Sequence, residues 1–242
     1  MHRCFVDKTW VDQWLLDSSS ALPKKVHERF FKIVRIKKNE IVGLFDGEGR
    51  EIQAFLTPNG QLSNASLIKK KPDIHQCTLI QAALEEAKIS QTIKRATEFG
   101  INKIIIFQAE LSDSFCFGKL AKRQERLDSL CIDAARQSGR LFVPKIVLIK
   151  DLKSVLLDLG TNDLATYGDL LAEHKFSQTL KNFAELSKVV LAVGPEGGLS
   201  QQEKTLLNMH NFKSVLWAPH TLRSEFACLS ALCILNAYWG KA

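Results

Sequence analysis

From residue 73 onward the chain alternates apolar runs of strand length with segments of helical periodicity. The apolar runs that predict strands are 77–83, 103–107, 145–149, 163–167, 189–193 and 214–217. The segments that predict helices are 90–99, 119–137, 152–159, 201–209 and 225–238. Such alternation is typical of an α/β fold, in which a mostly parallel sheet has helices on both faces. Ligands bind at the carboxyl ends of the strands in folds of this kind.

The first 71 residues follow a different pattern and predict mainly β structure. The run 41–45 leads into Asp46-Gly47, a hairpin signal, and 51–56 returns as a strand. A short amphipathic helix around 24–36 interrupts these strands. The pattern predicts a small β-barrel-like module, and the lysine run before Pro72 marks a boundary. We expect one domain over residues 1–71 and a second over 72–242.

The net charge of the chain makes nucleic acid a candidate partner. The chain has 242 residues, a formal net charge of +7 and a pI near 9.1, which favours attraction to nucleic acid over long distances. The alternative is a solvated basic surface. Basic residues concentrate near the start of the chain, at Arg3, Lys24, Lys25, Arg29, Lys32, Arg35, Lys37 and Lys38.

The six cysteines form no C-x-x-C pair and no spacing suited to zinc, so we expect reduced, mostly buried thiols and no metal. Charged residues come too early for a signal peptide, and no apolar run is long enough to cross a membrane. The longest apolar stretch, 226–239, predicts a helix in the core or against a second subunit. We expect a cytoplasmic protein without a membrane partner.

The most informative motif is the loop Gly194-Pro195-Glu196-Gly197-Gly198, which follows the apolar run 188–193. Ser200 and Glu203 have the spacing of a capping box, which predicts that a helix follows the loop. The glycines let the backbone approach a ligand closely. Neither phosphate-loop pattern is present, and Glu196 would repel a phosphate, so a neutral or cationic ligand is favoured. The alternative is an ordinary turn between a strand and a helix.

A second motif, Leu222-Arg223-Ser224-Glu225, lies at the start of the last predicted helix. Arginine donates two hydrogen bonds to a phosphate or a carbonyl group, and a carboxylate accepts a proton. The alternative is a helix cap at Ser224 with a solvated ion pair around it.

With these motifs, the chain resembles the RsmE-type methyltransferases of the SPOUT superfamily, which methylate N3 of a uridine in bacterial 16S ribosomal RNA. Three further motifs support the resemblance. They are the stretch 93–100 (IKRATEFG), the stretch 134–140 (AARQSGR) followed by Val143-Pro144, and Val34-Arg35 with Phe45-Asp46-Gly47.

The resemblance implies a PUA-like, RNA-binding β-barrel before an α/β domain with a trefoil knot, and it implies a homodimer. It also implies S-adenosyl-L-methionine as cofactor, held by three loops. Their residues are Tyr167, Gly168, Val193, Gly194, Pro195, Glu196, Gly197, Gly198, Trp217, Ala218, Pro219, Thr221, Leu222 and Arg223.

Methylation of uridine N3 requires removal of the imide proton and stabilisation of the resulting anion. We expect Glu225 to accept or orient the proton, and Arg223 to stabilise the anion or a phosphate. The expected partner is 16S rRNA or the 30S subunit. The arginines expected to bind it are Arg3, Arg29, Arg35, Arg136 and Arg140.

Three positions depart from the family pattern. Ala218 replaces a glycine that is usual there, Phe226 replaces a threonine, and Leu111 replaces a common arginine. The alanine predicts a narrower cofactor pocket, and the phenylalanine removes one potential hydrogen bond. Two alternatives therefore stay open. One is a non-catalytic RNA-binding assembly factor of the same fold, and the other is a knotted methyltransferase acting on a ribose 2′-hydroxyl or a tRNA base.

Overall fold

The computed structural model describes residues 1–37 and 40–241. Lys38, which belongs to the basic cluster near the start of the chain, lies outside the described residues. The chain forms two compact units. The first contains Met1–Pro72 and Ile132–Val143, and the second contains Asp73–Cys131 and the chain from Pro144 onward.

The first unit is built on a sheet with strand order β1-β2-β3-β4. Its strands are β1 His2–Phe5, β2 Ile41–Phe45, β3 Arg50–Leu56 and β4 Leu62–Lys69. Its helical segments are α1 Lys8–Leu16, α2 Lys24–Glu28 and a π-helical turn, Arg29–Val34. β1 pairs with β2 in parallel, whereas the other two pairings are antiparallel. Trp10, Val11 and Phe30 pack with Leu44 and Ile52 in the core.

The strands predicted over 41–45 and 51–56 are confirmed as β2 and β3. The helix predicted over 24–36 is interrupted, since α2 passes into the π-helical turn, which ends at Arg35 in the left-handed region with φ 54°. Helix α1 is a correction to the expectation of mainly β structure. Its signal in the sequence is Asp7, whose carboxylate accepts a hydrogen bond from the Thr9 amide and caps the helix.

The second unit has a six-stranded sheet in the order β10-β8-β9-β5-β6-β7, and every pairing is parallel. Its strands are β5 Gln76–Ala82, β6 Lys103–Phe107, β7 Lys145–Ile149, β8 Leu164–Gly168, β9 Lys188–Val193 and β10 Phe212–Val215. Its helices are α3 Glu86–Glu98, α4 Cys116–Ala121, α5 Gln124–Ser138, α6 Leu152–Asp158, α7 Phe176–Leu180, α8 Gln201–Met209 and α9 Ser224–Tyr238. From residue 132 onward, α5 belongs to the first unit.

The predicted parallel α/β sheet is confirmed, and its strands lie within two residues of their expected positions. Three helical predictions differ from the structure. Helix α3 begins at Glu86, four residues before its predicted start. The single helix predicted over 119–137 is divided into α4 and α5 at Lys122-Arg123, and α7 was not predicted.

The cysteines of the described residues are free thiols, and all except Cys233 are buried. Burial raises the pKa of Cys77, and it raises the pKa of Cys228 to about 12. Such thiols stay protonated and unreactive at neutral pH. Within residues 1–37 and 40–241, no helix combines the length and apolar character that a membrane span needs.

A buried arginine explains why residues 132–143 belong to the first unit. Arg3 Nε donates to Glu51 Oε1 at 2.5 Å, and the two side chains are 8% and 5% exposed. The other guanidinium nitrogens donate to the carbonyl oxygens of Ala135, Arg136 and Arg140 at 3.1, 3.3 and 3.0 Å. The prediction that Arg3 contacts RNA is therefore corrected, because its donors are used inside the unit.

We expect Arg3→Met to lower the free energy of unfolding by about 3 kcal/mol, since it leaves Glu51 buried without its counter-ion. Urea denaturation of the whole chain measures the difference. Arg35→Met is the matched control, because Arg35 is exposed in the same unit. An equal loss of unfolding free energy in both variants would show that the Arg3–Glu51 pair makes no specific contribution to stability.

Candidate functional site

A cavity of about 750 Å³ opens at the carboxyl ends of strands β8, β9 and β10. Its walls come from the three loops that follow these strands and from the first turn of α9. Its volume lies in the range of small-molecule sites. The position agrees with the rule that ligands of α/β folds bind at the carboxyl edge of the sheet.

Most of the predicted cofactor residues line this cavity. They are Gly168, Val193, Gly194, Pro195, Glu196, Gly197, Gly198, Trp217, Ala218, Thr221, Leu222 and Arg223. The structure places two others outside the lining. The Tyr167 side chain is buried and its hydroxyl donates to Asn208 Oδ1 at 3.2 Å, whereas Pro219 is exposed to solvent.

The glycine loop needs its glycines for steric reasons. A Cβ at Gly194 would lie 2.7 Å from backbone atoms of Gly198 and Leu199, so the loop could not close on itself. Gly198 has a φ of +77°, a conformation that other residues rarely adopt. A Cβ at Gly168 would meet the Trp217 ring at 2.7 Å, so this glycine brings two loops together.

The predicted capping box at the start of α8 is confirmed. Ser200 Oγ accepts from the Glu203 amide at 3.1 Å, and Glu203 Oε2 accepts from the Ser200 amide at 2.8 Å. The second carboxylate oxygen of Glu203 accepts from the Glu110 amide at 3.1 Å. Glu203 is buried, so it fixes the end of the glycine loop against a neighbouring loop.

Two lysines that sequence reasoning missed neutralise carboxylates of the cavity wall. Lys88 Nζ, on α3, donates to Glu196 Oε1 at 2.8 Å, and Lys204 Nζ donates to Asp169 Oδ2 at 2.8 Å. The hydrogen bond from Lys88 lowers the pKa of Glu196. Burial alone would raise the pKa of Asp169, but the hydrogen bonds from Lys204 and the Leu171 amide lower it below its ordinary value.

Glu196 is therefore paired with a lysine in the cavity wall, which the loop motif alone does not indicate. Its partner lies 108 residues earlier in the chain, and no local signal indicates that pairing.

Glu225 and Arg223 lie on the same cavity in different environments. The Glu225 side chain is 4% exposed, lies in the first turn of α9 and accepts no hydrogen bond from the described residues. Arg223 is the exposed N-cap residue of α9 and has no salt bridge within the described part of the chain. The two side chains are not paired with each other, so the alternative of a solvated ion pair does not apply.

The departures from the family pattern leave the cavity open. Ala218 lines it at an ordinary negative φ, where a Cβ is tolerated. Phe226 lies outside the lining and is 42% exposed. Leu111 packs against the glycine loop, because its Cβ lies 3.3 Å from the position of a Cβ at Gly197.

Among residues 1–37 and 40–241, no group of three or more His, Cys, Asp or Glu side chains is placed to hold a metal ion.

Comparison with known proteins identifies the family. The model of the RNA methyltransferase domain family matches residues 70–236. Ribosomal RNA small subunit methyltransferase E of Rickettsia conorii is 30% identical over 93% of this chain and 93% of its own length. Ribosomal RNA small subunit methyltransferase E 1 of Borreliella burgdorferi is 31% identical, over 59% of each chain.

The fold is shared with a solved structure. The crystal structure of a ribosomal RNA small subunit methyltransferase E from Neisseria gonorrhoeae, bound to S-adenosyl methionine, matches with a TM-score of 0.80. The identity is 24%, over 99% of this chain and 98% of the other. Fold and sequence together place the chain in the RNA methyltransferase domain family, and within it among the ribosomal RNA small subunit methyltransferase E proteins.

We predict that Lys88→Met raises the pKa of Glu196 towards its ordinary value of 4.5, because the lysine stabilises the charged carboxylate. An NMR titration of the glutamate carboxyl carbons measures this shift. A group with a lowered pKa stabilises the fold above its unfolded-state pKa, and this contribution is lost as the pH falls through the folded-state pKa. The stability difference between wild type and variant should therefore shrink below about pH 4.

Lys94→Met is the matched control, since Lys94 is an exposed lysine on the same helix. A wild-type pKa of Glu196 in Lys88→Met would contradict the pairing. The half-exposed carboxylate keeps the effect on stability below about 1 kcal/mol.

Proposed function

We propose that this protein methylates N3 of a uridine in the 16S rRNA of the small ribosomal subunit, with S-adenosyl-L-methionine as methyl donor. One observation carries the proposal. Glu225 is a buried carboxylate without a hydrogen-bond partner among the described residues, and it faces the same cavity as the glycine loop. Membership in the ribosomal RNA small subunit methyltransferase E family supports the choice of substrate.

The residues of the cavity fit the proposed donor. Bare backbone at Gly194, Gly197 and Gly198 offers carbonyl and amide groups to an adenosine, and Val193, Leu199 and Trp217 supply apolar surface. The ammonium and carboxylate of the donor's amino-acid part require charges of both signs, which the Lys88–Glu196 and Lys204–Asp169 pairs offer. When bound, the donor supplies an electrophilic methyl group.

The side chains at the start of α9 would perform the rest of the chemistry. Glu225 accepts the N3 proton of the uridine, which leaves negative charge on N3 and the neighbouring carbonyl oxygens. Arg223 stabilises that charge or holds the adjacent phosphate, and the positive end of the α9 dipole acts in the same sense.

We predict that the purified protein methylates 16S rRNA or 30S subunits, and that Glu225→Gln lowers the single-turnover rate by about a hundredfold. Glutamine keeps the shape of the side chain but accepts no proton at neutral pH. Mass spectrometry of RNA digests identifies the methylated atom, and a rapid-quench assay measures the rate.

Glu125→Gln is the control, because Glu125 is an exposed carboxylate in the first turn of α5. Methylation of a ribose 2′-hydroxyl or of a tRNA base would replace the proposed substrate. Failure of the wild-type protein to bind the donor would favour a non-catalytic assembly factor.

The proposal also covers the domains, the knot and the oligomeric state of the protein. We propose that residues 1–71 form a PUA-like RNA-binding domain and residues 72–242 a knotted methyltransferase domain. A trefoil knot is supported by two facts: β9 lies between β8 and β5, and α9 packs against β9 and α3 next to the glycine loop. Exposed Phe226 and Cys233 on α9 support a homodimer built on this helix. A cytoplasmic location follows from a ribosomal substrate.

Four of the predicted arginines stay as the proposed RNA surface of the first unit. Arg35 is exposed, whereas Arg29, Arg136 and Arg140 are half-buried. Arg29 Nε has no hydrogen-bond partner among the described residues, and Arg136 pairs with Asp133 at 3.1 Å. Burial raises the pKa of Cys4, whereas the charges of Arg29 and Arg136 both lower it, so the two arginines lie near the same thiol.

We expect the Arg29→Ala/Arg35→Ala variant to bind 16S rRNA more weakly. The slope of the logarithm of the binding constant against the logarithm of the salt concentration should become smaller in magnitude by about one for each lost phosphate contact. Filter binding over a series of salt concentrations gives the slope. Lys153→Ala, which removes an exposed cation on α6, should leave it unchanged. Equal slopes for both variants would place the RNA surface elsewhere.

A further inference from the structure

A chain of buried hydrogen bonds connects the glycine loop, the start of α9 and the end of β5. Ser224 Oγ donates to the Gly194 carbonyl at 2.5 Å, and Gln81 Nε2 donates to Ser224 Oγ at 3.1 Å. Gln81 is fully buried and Ser224 is 6% exposed. These two side chains come from positions 143 residues apart.

The geometry fixes the direction of each hydrogen bond. A carbonyl oxygen only accepts, so the Ser224 hydroxyl proton must point at Gly194. The lone pairs of Ser224 Oγ then face Gln81, which must present its amide nitrogen. A second contact of that nitrogen, to the Ala82 carbonyl at 3.2 Å, agrees with this orientation. Gln81 is therefore the donor to Ser224, and Ser224 is the donor to Gly194.

This orientation has a cost. Gln81 Oε1 is buried and has no hydrogen-bond partner among the described residues. An unpaired buried acceptor destabilises a fold, and an apolar side chain of similar shape would avoid the loss. Stability alone therefore does not explain a glutamine at this position.

Ser224 lies between the two residues proposed to carry the chemistry. Its hydroxyl fixes the first turn of α9, and hence Arg223 and Glu225, relative to Gly194, the first residue of the glycine loop. This hydrogen bond thus connects the wall of the donor site directly to the helical turn that carries the proposed proton acceptor. Catalysis by positioning is sensitive to displacements of this kind.

We propose that Gln81 and Ser224 are positioning residues, which hold the glycine loop and Glu225 at the relative position that methyl transfer requires. The proposal rests on the proposed function. Neither side chain needs to contact the substrate, since both act through Gly194 and Glu225.

The test compares Ser224→Ala, Ser224→Thr and Gln81→Met. We expect Ser224→Ala and Gln81→Met to lower the single-turnover rate at saturating donor by about tenfold to a hundredfold, with rRNA affinity unchanged. Threonine keeps the hydroxyl, so Ser224→Thr should restore most of the rate. The double variant should be no slower than Ser224→Ala, because both changes break one chain of hydrogen bonds.

Hydrogen exchange of the protein without donor supplies a readout independent of activity. In Ser224→Ala, backbone amides over 194–200 should exchange about tenfold faster, while amides of β6 keep their protection. Ser90→Ala is the matched control, since Ser90 Oγ also donates to a backbone carbonyl, that of Glu86 at 2.6 Å, on helix α3.

The outcomes separate the two proposals. Wild-type protein that methylates no RNA would overturn the proposed function. An active wild type with Ser224→Ala at the same rate and the same exchange would overturn the positioning role. A rate lost in Ser224→Ala and not restored by Ser224→Thr would also overturn it.

Discussion

Parallel strand pairing is the constraint on which the site depends. Because β8, β9 and β10 are parallel members of one sheet, with β8 in the middle, their carboxyl ends meet at a single edge. The loops that follow them must share this edge, whatever their sequences. The cavity is thus a consequence of topology, and the loop sequences decide only what it accepts.

Crowding at that edge explains the use of glycine. Three chain segments turn within a small volume, and a side chain at Gly168 or Gly194 would occupy space that Trp217 or the Gly198-Leu199 backbone already fills. The backbone that glycine exposes needs support from elsewhere. Ser224 and Glu203, both buried, provide it by hydrogen bonding to Gly194, the first residue of the loop, and to the Ser200 amide, two residues after its end.

The charges of the cavity follow a simple division. Lys88 and Lys204 donate hydrogen bonds to two carboxylates of the wall, whereas no described residue donates one to the side chain of buried Glu225. A binding wall gains from fixed, compensated charges, since they orient a zwitterionic ligand without repelling it. A proton acceptor has to keep its lone pairs available. The two lysine-paired carboxylates and Glu225 thus differ in the way that their proposed roles, donor binding and proton acceptance, require.

Much of this fold could be predicted because its signals are local. Apolar runs located the strands of the parallel sheet, and the spacing of Ser200 and Glu203 located the start of α8. Partners distant in sequence gave no such signal. The pairing of Lys88 with Glu196 and the bond from Gln81 to Ser224 join residues more than 100 positions apart. The division between α4 and α5 also escaped prediction, because it interrupts a continuous helical periodicity at Lys122-Arg123.

The basic cluster shows why net charge is a weak guide to an RNA surface. Arg3 uses its donors on Glu51 and on backbone carbonyls. Elsewhere in the chain, Arg123 and Arg126 both pair with Glu86. An arginine whose donors are already used gains little from a phosphate, because it must first give up a partner. The cations best able to bind a polyanion are those whose donors are not taken up by buried partners, and only the folded chain shows which these are. Among the described residues, exposed Arg35 belongs to that subset, whereas Arg3, in the same cluster of the sequence, does not.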